Sequence, residues 1–261
     1  MPAGWAASAC GAAAPSRPRA AEQARRLITA AHWRNRVLMV DHTFVYTPAI
    51  RKLRELVASD ELGKIYYYDS IRVNLGLFQH DINVIWDLAV HDFSILEYAL
   101  AEHPVAVSAN GASPVPQNRE SIAYISLFFA SGTIAHINVN WLAPVKVRQI
   151  LIGGSRKMIV YNDLEPSEKI KVYDKGVTLT DDPDKIYQMR VGYRTGDMWA
   201  PQLETLEGLA AEVEHFVDCI ENGRVPETDA EVGMRVVELL EAATQSMTER
   251  GRPIELKGSV V

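Results

Sequence analysis

The chain has 261 residues, with 27 Lys+Arg against 33 Asp+Glu, a formal net charge of −6 and only 2 Cys. Its 48% hydrophobic and 23% charged residues suffice for a sizeable core and exclude a disordered or collagen-like chain. Cys10 and Cys219 are too few and too far apart for a disulfide framework, and an acidic balance without a basic tract argues against a nucleic-acid binder that works by phosphate neutralisation.

Met1 to Pro18 is rich in Ala, Gly, Ser and Pro and has no period, so it reads as a poorly ordered leader. It lacks the basic start and apolar block of a signal peptide. A helix is predicted over Ala20–Trp33, with Ala24, Leu27, Ile28 and Ala31 on one face. Val37 to Val40 is a continuous apolar run, the pattern of a strand buried on both faces of a parallel sheet. A second helix opens at Thr47-Pro48, carries Ile50, Leu53, Leu56 and Val57 on one side, and closes at Gly63.

Lys64 to Asn74 reads as a strand, Gly76 to Asp87 as a loop and Leu88 to Leu100 as a helix. Strands follow at Val105–Asn110, Ser121–Phe129, Thr133–Trp141, Val147–Ile152, Lys157–Tyr161 and Ile170–Tyr173. Few helices interrupt them, which predicts an α/β chain of α+β character with a large, mostly antiparallel open sheet and helices on one face. Ser121 to Val145 has no charged residue, yet Ser131-Gly132 splits it. Beyond that break His136, Asn138 and Asn140 alternate with apolar residues, so it is a hairpin and not a membrane span.

Asp181 to Ala200 looks like a surface excursion. Two helices end the chain. Leu206, Leu209, Val213, Phe216, Val217 and Ile220 form the stripe of the first, which stops at Asn222-Gly223. Thr228 with Glu231 makes a capping box for the second. Packing accounts for both, and neither is assigned chemistry.

The chemistry is concentrated between Arg72 and Asp92, where two His-Asp pairs, two Asn, Gln79, Arg72 and a Trp lead into a helix. Asp87 and His91 are four apart, which on a helix places both on one face. A carboxylate beside an imidazole can fix its tautomer and form a proton-transfer pair. The plainer alternative makes Asp87 the helix N-cap, with Asp92 answering the helix dipole. A metal site from His80, Asp81, Asp87 and His91 is a further alternative, without support from a standard ligand spacing. His103, His136 and His215 read as structural, and Cys219 as an inert core thiol.

Val40-Asp41-His42-Thr43-Phe44 with Thr47-Pro48, the Arg72–Asp92 segment, GGSRKMIVYNDLE at 153–165 and Glu212 to Ile220 together resemble the Gfo/Idh/MocA oxidoreductases. Within that family the chain is most similar to the nucleotide-sugar branch of UDP-N-acetylglucosamine 3-dehydrogenase type. The resemblance implies an N-terminal Rossmann domain that binds NAD or NADP, and a C-terminal substrate domain with an open sheet. It also implies hydride transfer at a sugar carbinol, His91 as acid/base and Asp87 as its orienter. Asn83, Arg72 and Gln79 would line the substrate pocket, and His42 and Tyr46 would lie near the nicotinamide. A homo-oligomer through the sheet face is expected, while the low cysteine count, mild acidity and hairpin pattern point to a cytoplasmic setting with no nucleic-acid or membrane partner.

No two of the 16 glycines lie two positions apart, so the GxGxxG turn that cradles a dinucleotide is absent. The family's Glu-Lys-Pro motif is absent as well. The expected division is an unrelated leader over 1–18, a Rossmann remnant over 19–42 and the substrate domain over 43–261. Such a chain would bind the cofactor weakly and show impaired oxidation. The alternatives are a non-catalytic sugar-nucleotide-binding or assembly subunit, and a metal-dependent hydrolase or isomerase using His80, Asp81 and His91.

Overall fold

The computed structural model describes residues 20–76, 79, 81–115, 119–174, 176–179, 191–194 and 196–256. Nine strands form one sheet in the order β10-β7-β6-β5-β1-β4-β3-β2-β11. They are β1 (Ile65–Leu75), β2 (Pro104–Ala112), β3 (Ile122–Phe129), β4 (Ile134–Asn140), β5 (Leu142–Gly154), β6 (Met158–Asn162), β7 (Ile170–Tyr173), β10 (Met198–Trp199) and β11 (Ile254–Glu255). Every pairing is antiparallel except that of β1 with β4. A short separate ladder joins β8 (Gly176–Leu179) to β9 (Val191–Arg194). The open, mostly antiparallel sheet is therefore as expected. Both edges are two-residue strands, which limits edge-to-edge association.

Period-two alternation decides which face is dry. Tyr68, Ser70 and Arg72 of β1, Ala135, Ile137 and Val139 of β4, and Ile150 and Ile152 of β5 are buried on one side. On that side lie α2 (Pro48–Ala58), α3 (Val90–Leu100) and α5 (Ala230–Thr248), sharing one core with the sheet. The other side exposes Tyr124, Phe128 and Ile134. The predicted β-hairpin at Ser131-Gly132 forms between β3 and β4 with Gly132 at φ 85°. No helix among the described residues is long and apolar enough to cross a membrane.

Four expectations need correction. Val37 to Val40 is not a strand buried in a parallel sheet. It makes a single bridge from Met39 to Asp229, with the Val40 amide donating to the Thr228 carbonyl at 2.9 Å, and its side chains are only partly buried. An apolar run alone cannot tell a paired strand from a segment that packs by its side chains. The helix predicted from Leu88 begins earlier, as a π-helical turn over Ile85–Ala89 that runs into α3.

The cap of α5 is Asp229, whose carboxylate accepts from the Val232 amide at 2.9 Å. Thr228 instead donates to the Val40 carbonyl at 2.8 Å and bonds the Tyr46 hydroxyl at 2.9 Å. Finally, the stripe on α4 (Gly208–Asn222) is not packed. Leu209, Val213, Val217 and Ile220 are exposed, whereas Glu212 and Cys219 are buried.

Gly154 shows how tightly the sheet end is packed. An added Cβ there would come within 2.3 Å of the Leu62 carbonyl oxygen, a backbone atom that cannot swing away. Gly154→Ala is expected to cost about 1–3 kcal/mol of stability. Urea unfolding of wild type and variant, compared at equal m-value, checks this.

Candidate active site

Of the predicted segment Arg72–Asp92, Leu77, Phe78 and His80 lie outside the described residues; Arg72 and Asp92 meet on the dry face of β1. Arg72 is 3% exposed and Asp92 1%. The Arg72 Nε donates to Asp92 Oδ2 at 2.7 Å, and the Ser70 hydroxyl donates to Oδ1 at 2.6 Å. Both oxygens of a buried carboxylate are thus satisfied, by two residues that β1 alternation places on one face. Burial works against the Arg72 cation, but Asp92 overrides it and raises the pKa of Arg72. Arg72 also stacks over the Phe44 ring at 4.7 Å, and its Nη1 is buried without a partner.

His91 sits next to this pair, on the first turn of α3, with its ring edge-on to Phe44 at 5.2 Å. Burial, followed by the Arg72 charge, pushes its pKa down to about 4, with Asp92 opposing. His91 is therefore a neutral imidazole at pH 7. His42 lies on the segment leading into the 3₁₀ turn Thr43–Tyr46, 4% exposed with Nε2 buried and unpartnered. Burial lowers its pKa to about 4 as well.

The other sequence candidates have separate places. Asp87 lies in the π turn, where its Oδ2 accepts from the Trp141 indole at 2.8 Å. Asn83 is buried, and its Oδ1 accepts from the amides of Ile85 and Trp86. Its carbonyl accepts from the Asp87 amide. It therefore anchors the start of the turn. Gln79 is half-buried and Asp81 exposed. Tyr46 is fully buried with its hydroxyl on Thr228, its pKa raised to about 12 chiefly by burial.

Among the described residues no group of three or more His, Cys, Asp or Glu could hold a metal. His215, read as structural, accepts the Glu227 amide at its Nε2, and Cys219 is buried beside it at 3.5 Å. His103 pairs with Glu97 at 2.9 Å, and His136 stacks on Tyr124 at 6.2 Å between ring centres.

Several site residues escaped the sequence reading. Arg148 on β5 lies over Phe44 at 5.7 Å and bonds Asp163 at 3.3 Å, while the Tyr161 hydroxyl donates to Asp163 at 3.0 Å. Strand alternation could have found Arg148, two residues before buried Ile150. Glu212 is 2% exposed on α4, with both carboxyl oxygens buried and without hydrogen-bond partners. Burial raises its pKa to about 7 and nearby Asp41 adds to the rise, with Thr43 opposing. The signal was present as a Glu at the same helical spacing as buried Ala211 and Cys219.

The model for the oxidoreductase family, C-terminal alpha/beta domain, matches residues 54–256, more than half of the chain. The chain belongs to the Gfo/Idh/MocA oxidoreductase family. Its sheet is that family's C-terminal α/β domain. The chain is 27% identical over 220 residues to the UDP-N-acetylglucosamine 3-dehydrogenase of Acidithiobacillus ferrooxidans, covering 83% of itself and 64% of that protein. It is 23% identical over 228 residues to the NAD(+) scyllo-inositol 2-dehydrogenase of Bacillus subtilis, covering 81% and 60%. Against the solved structure of the Acidithiobacillus enzyme the TM-score is 0.69 at 25% identity, covering 87% of this chain and 66% of that one. The chain thus spans less than two thirds of the length of these relatives.

Glu212 yields a prediction with a definite sign. Its folded pKa of about 7 lies above the ordinary 4.5, so the folded state holds the extra proton between these values. Its effect on stability turns unfavourable as pH rises from 4.5 to 7. His42 and His91, with folded pKa values of about 4 against 6.5, act oppositely, adding stability as pH rises from 4 to 6.5. Glu212→Gln removes only the first effect. Denaturation from pH 4.5 to 7.5 should show the variant gaining on wild type with rising pH; a constant difference would contradict the assignment.

Proposed function

We propose that this chain serves the oxidation of a sugar or nucleotide-sugar hydroxyl, with NAD or NADP as hydride acceptor and His91 as the acid/base. The observation that carries this reading is the neutral, half-buried His91 held beside the Arg72–Asp92 pair. A neutral imidazole at pH 7 is ready to take the hydroxyl proton as the carbon loses hydride. The unpartnered Arg72 Nη1 supplies a donor for the developing alkoxide. The relatives named above, one of them named for NAD(+), support the sugar and cofactor classes.

The fit of the cofactor is uneven along its length. The orphaned His42 Nε2 suits a hydrogen bond with the nicotinamide end, and Tyr46 supports the turn that presents it. No glycine-rich phosphate turn occurs in the sequence. A dinucleotide, held at its nicotinamide end by His42, would supply the hydride acceptor; the chain's own residues hold the sugar and move the proton. Asp87, fixed by Trp141, orients the π turn from which His91 follows, and Asn83, Arg72 and Gln79 line the sugar's side. We assign 19–42 to the cofactor domain and 43–261 to the substrate domain, so this chain alone binds NAD(H) weakly.

Calorimetry with scyllo-inositol and UDP-N-acetylglucosamine, with and without NAD, followed by assay of turnover, tests the proposal. In the chain joined to a dinucleotide-binding domain, His91→Ala should lower turnover by about 10²–10⁴-fold. Unaltered turnover would overturn the role of His91.

The exposed sheet face favours a second reading, in which the chain acts as a binding or assembly subunit. Tyr124, Phe128 and Ile134 form an apolar face that suits self-association. The cytoplasm, where thiols stay reduced, suits a chain with two distant cysteines. Tyr124→Lys with Phe128→Glu should convert an oligomer to monomer in sedimentation, with secondary structure unchanged. An unchanged sedimentation coefficient would contradict self-association through this face.

A further inference from the structure

Two arginines meet across the sheet beside His91. Arg72 of β1 and Arg148 of β5 are register partners in an antiparallel pair, so their side chains leave the same face of the sheet. Partners of this kind have Cβ atoms only about 4.5–5.5 Å apart. Both guanidiniums lie over the ring of Phe44, 4.7 and 5.7 Å from its centre. Like charges directly opposite each other destabilise a strand pair unless something offsets them.

The carboxylates at hand offset only part of this charge. Asp92 serves Arg72. Asp163 is divided among Arg148, Lys169 and the Tyr161 hydroxyl. Among the described residues this linked group therefore sets three cations against two carboxylates. Arg72 Nη1 and Arg148 Nε are both buried and have no hydrogen-bond partner. A buried donor left unpaired is costly, and more so on a charged group.

The two orphaned donors belong to neighbouring guanidiniums, so one small acceptor can serve both. A water molecule would take the N–H groups but leave the surplus charge in place. A monovalent anion answers both needs. A divalent anion would overcompensate, with Asp92 and Asp163 nearby to repel it. Phe44 shields the pair from water, which strengthens the attraction. Arg148 is only half-buried and gives an ion a way in.

We propose that Arg72 and Arg148 hold a small monovalent anion between them, either an inorganic halide or a small free carboxylate, and that its occupancy tunes the basicity of His91. The proposal rests on the reading of His91 as the base and adds an effector to it. Arg72, Arg148 and His42 oppose the imidazolium of His91, and Asp92 favours it. An anion between the guanidiniums weakens the opposition of both arginines, so His91 takes a proton more readily when the anion is bound.

Chloride NMR line broadening on the full chain, without cofactor, reads halide binding directly, and formate is the competing probe. The expected result is chloride broadening in the wild-type protein that formate displaces. Arg148→Met and Arg148→Lys both lack the Nε–H, and each should weaken binding by about tenfold or more. The probe that binds more tightly identifies the source of the anion. Followed by NMR across the same salt titration, the His91 midpoint should rise in the wild-type protein and stay fixed in Arg148→Met.

Failure of both probes to bind at physiological salt would overturn the proposal, as would equal binding in the wild-type protein and both variants. Sulfate bound more tightly than chloride by the wild-type protein would overturn it as well. Loss of turnover in His91→Ala without any anion binding would remove the anion and leave the role of His91 standing.

Discussion

The buried pair of Arg72 and Asp92 is the interaction on which the site depends. It fastens β1 of the sheet to α3 in a region where neither charge reaches water. Burying two charges costs several kcal/mol per ion, and attraction offsets this only when the geometry is good and the remaining atoms are bonded. Here the Ser70 hydroxyl takes the second carboxylate oxygen and Phe44 covers the guanidinium. Such a pair is weak evidence for net stability. Removing one partner is a different matter, since the survivor is left charged and buried, typically at about 3–5 kcal/mol.

The pair also sets the chemistry of its neighbour. His91 precedes Asp92 in sequence, so the register of α3 that places Asp92 on Arg72 fixes where His91 lies. Burial and the Arg72 charge disfavour the imidazolium, and Asp92 only partly compensates. A base that stays unprotonated at neutral pH results chiefly from burial, with the Arg72 charge adding to it. The π turn before α3 serves the same end. Asn83 anchors its first amides and Trp141 holds Asp87, so the chain enters α3 at a defined angle. π-helical turns are often found at functional sites.

Much of the sheet was legible because strand alternation is a short-range signal. β1, β3, β4, β6 and β7 fall within a residue or two of their predicted bounds, and the Ser131-Gly132 hairpin is as read. The failures have one physical source: partners distant in sequence. Val37 to Val40 has the composition of a buried strand but finds only Asp229 to bridge. Thr228 has the sequence of a cap, yet its hydroxyl serves Val40 and Tyr46, 188 and 182 residues away. The stripe of α4 is amphipathic by pattern, while the pattern is silent on what covers it. In the site, His91 and Arg72 stood out by residue type, and His42 by the family resemblance. Spacing hinted at Arg148 and Glu212, but that Arg148 and Tyr161 meet at Asp163, and that Glu212 lies near Asp41, became visible only in the folded chain.

The central claim is that burial beside the Arg72–Asp92 pair keeps His91 neutral well below pH 7. Titrating the imidazole signals of the selectively labelled protein by NMR, with His91→Gln to assign the resonance, measures this directly. The account predicts that His91 titrates near pH 4. A midpoint near the ordinary 6.5 would place His91 in water, apart from the ion pair, and would contradict the account.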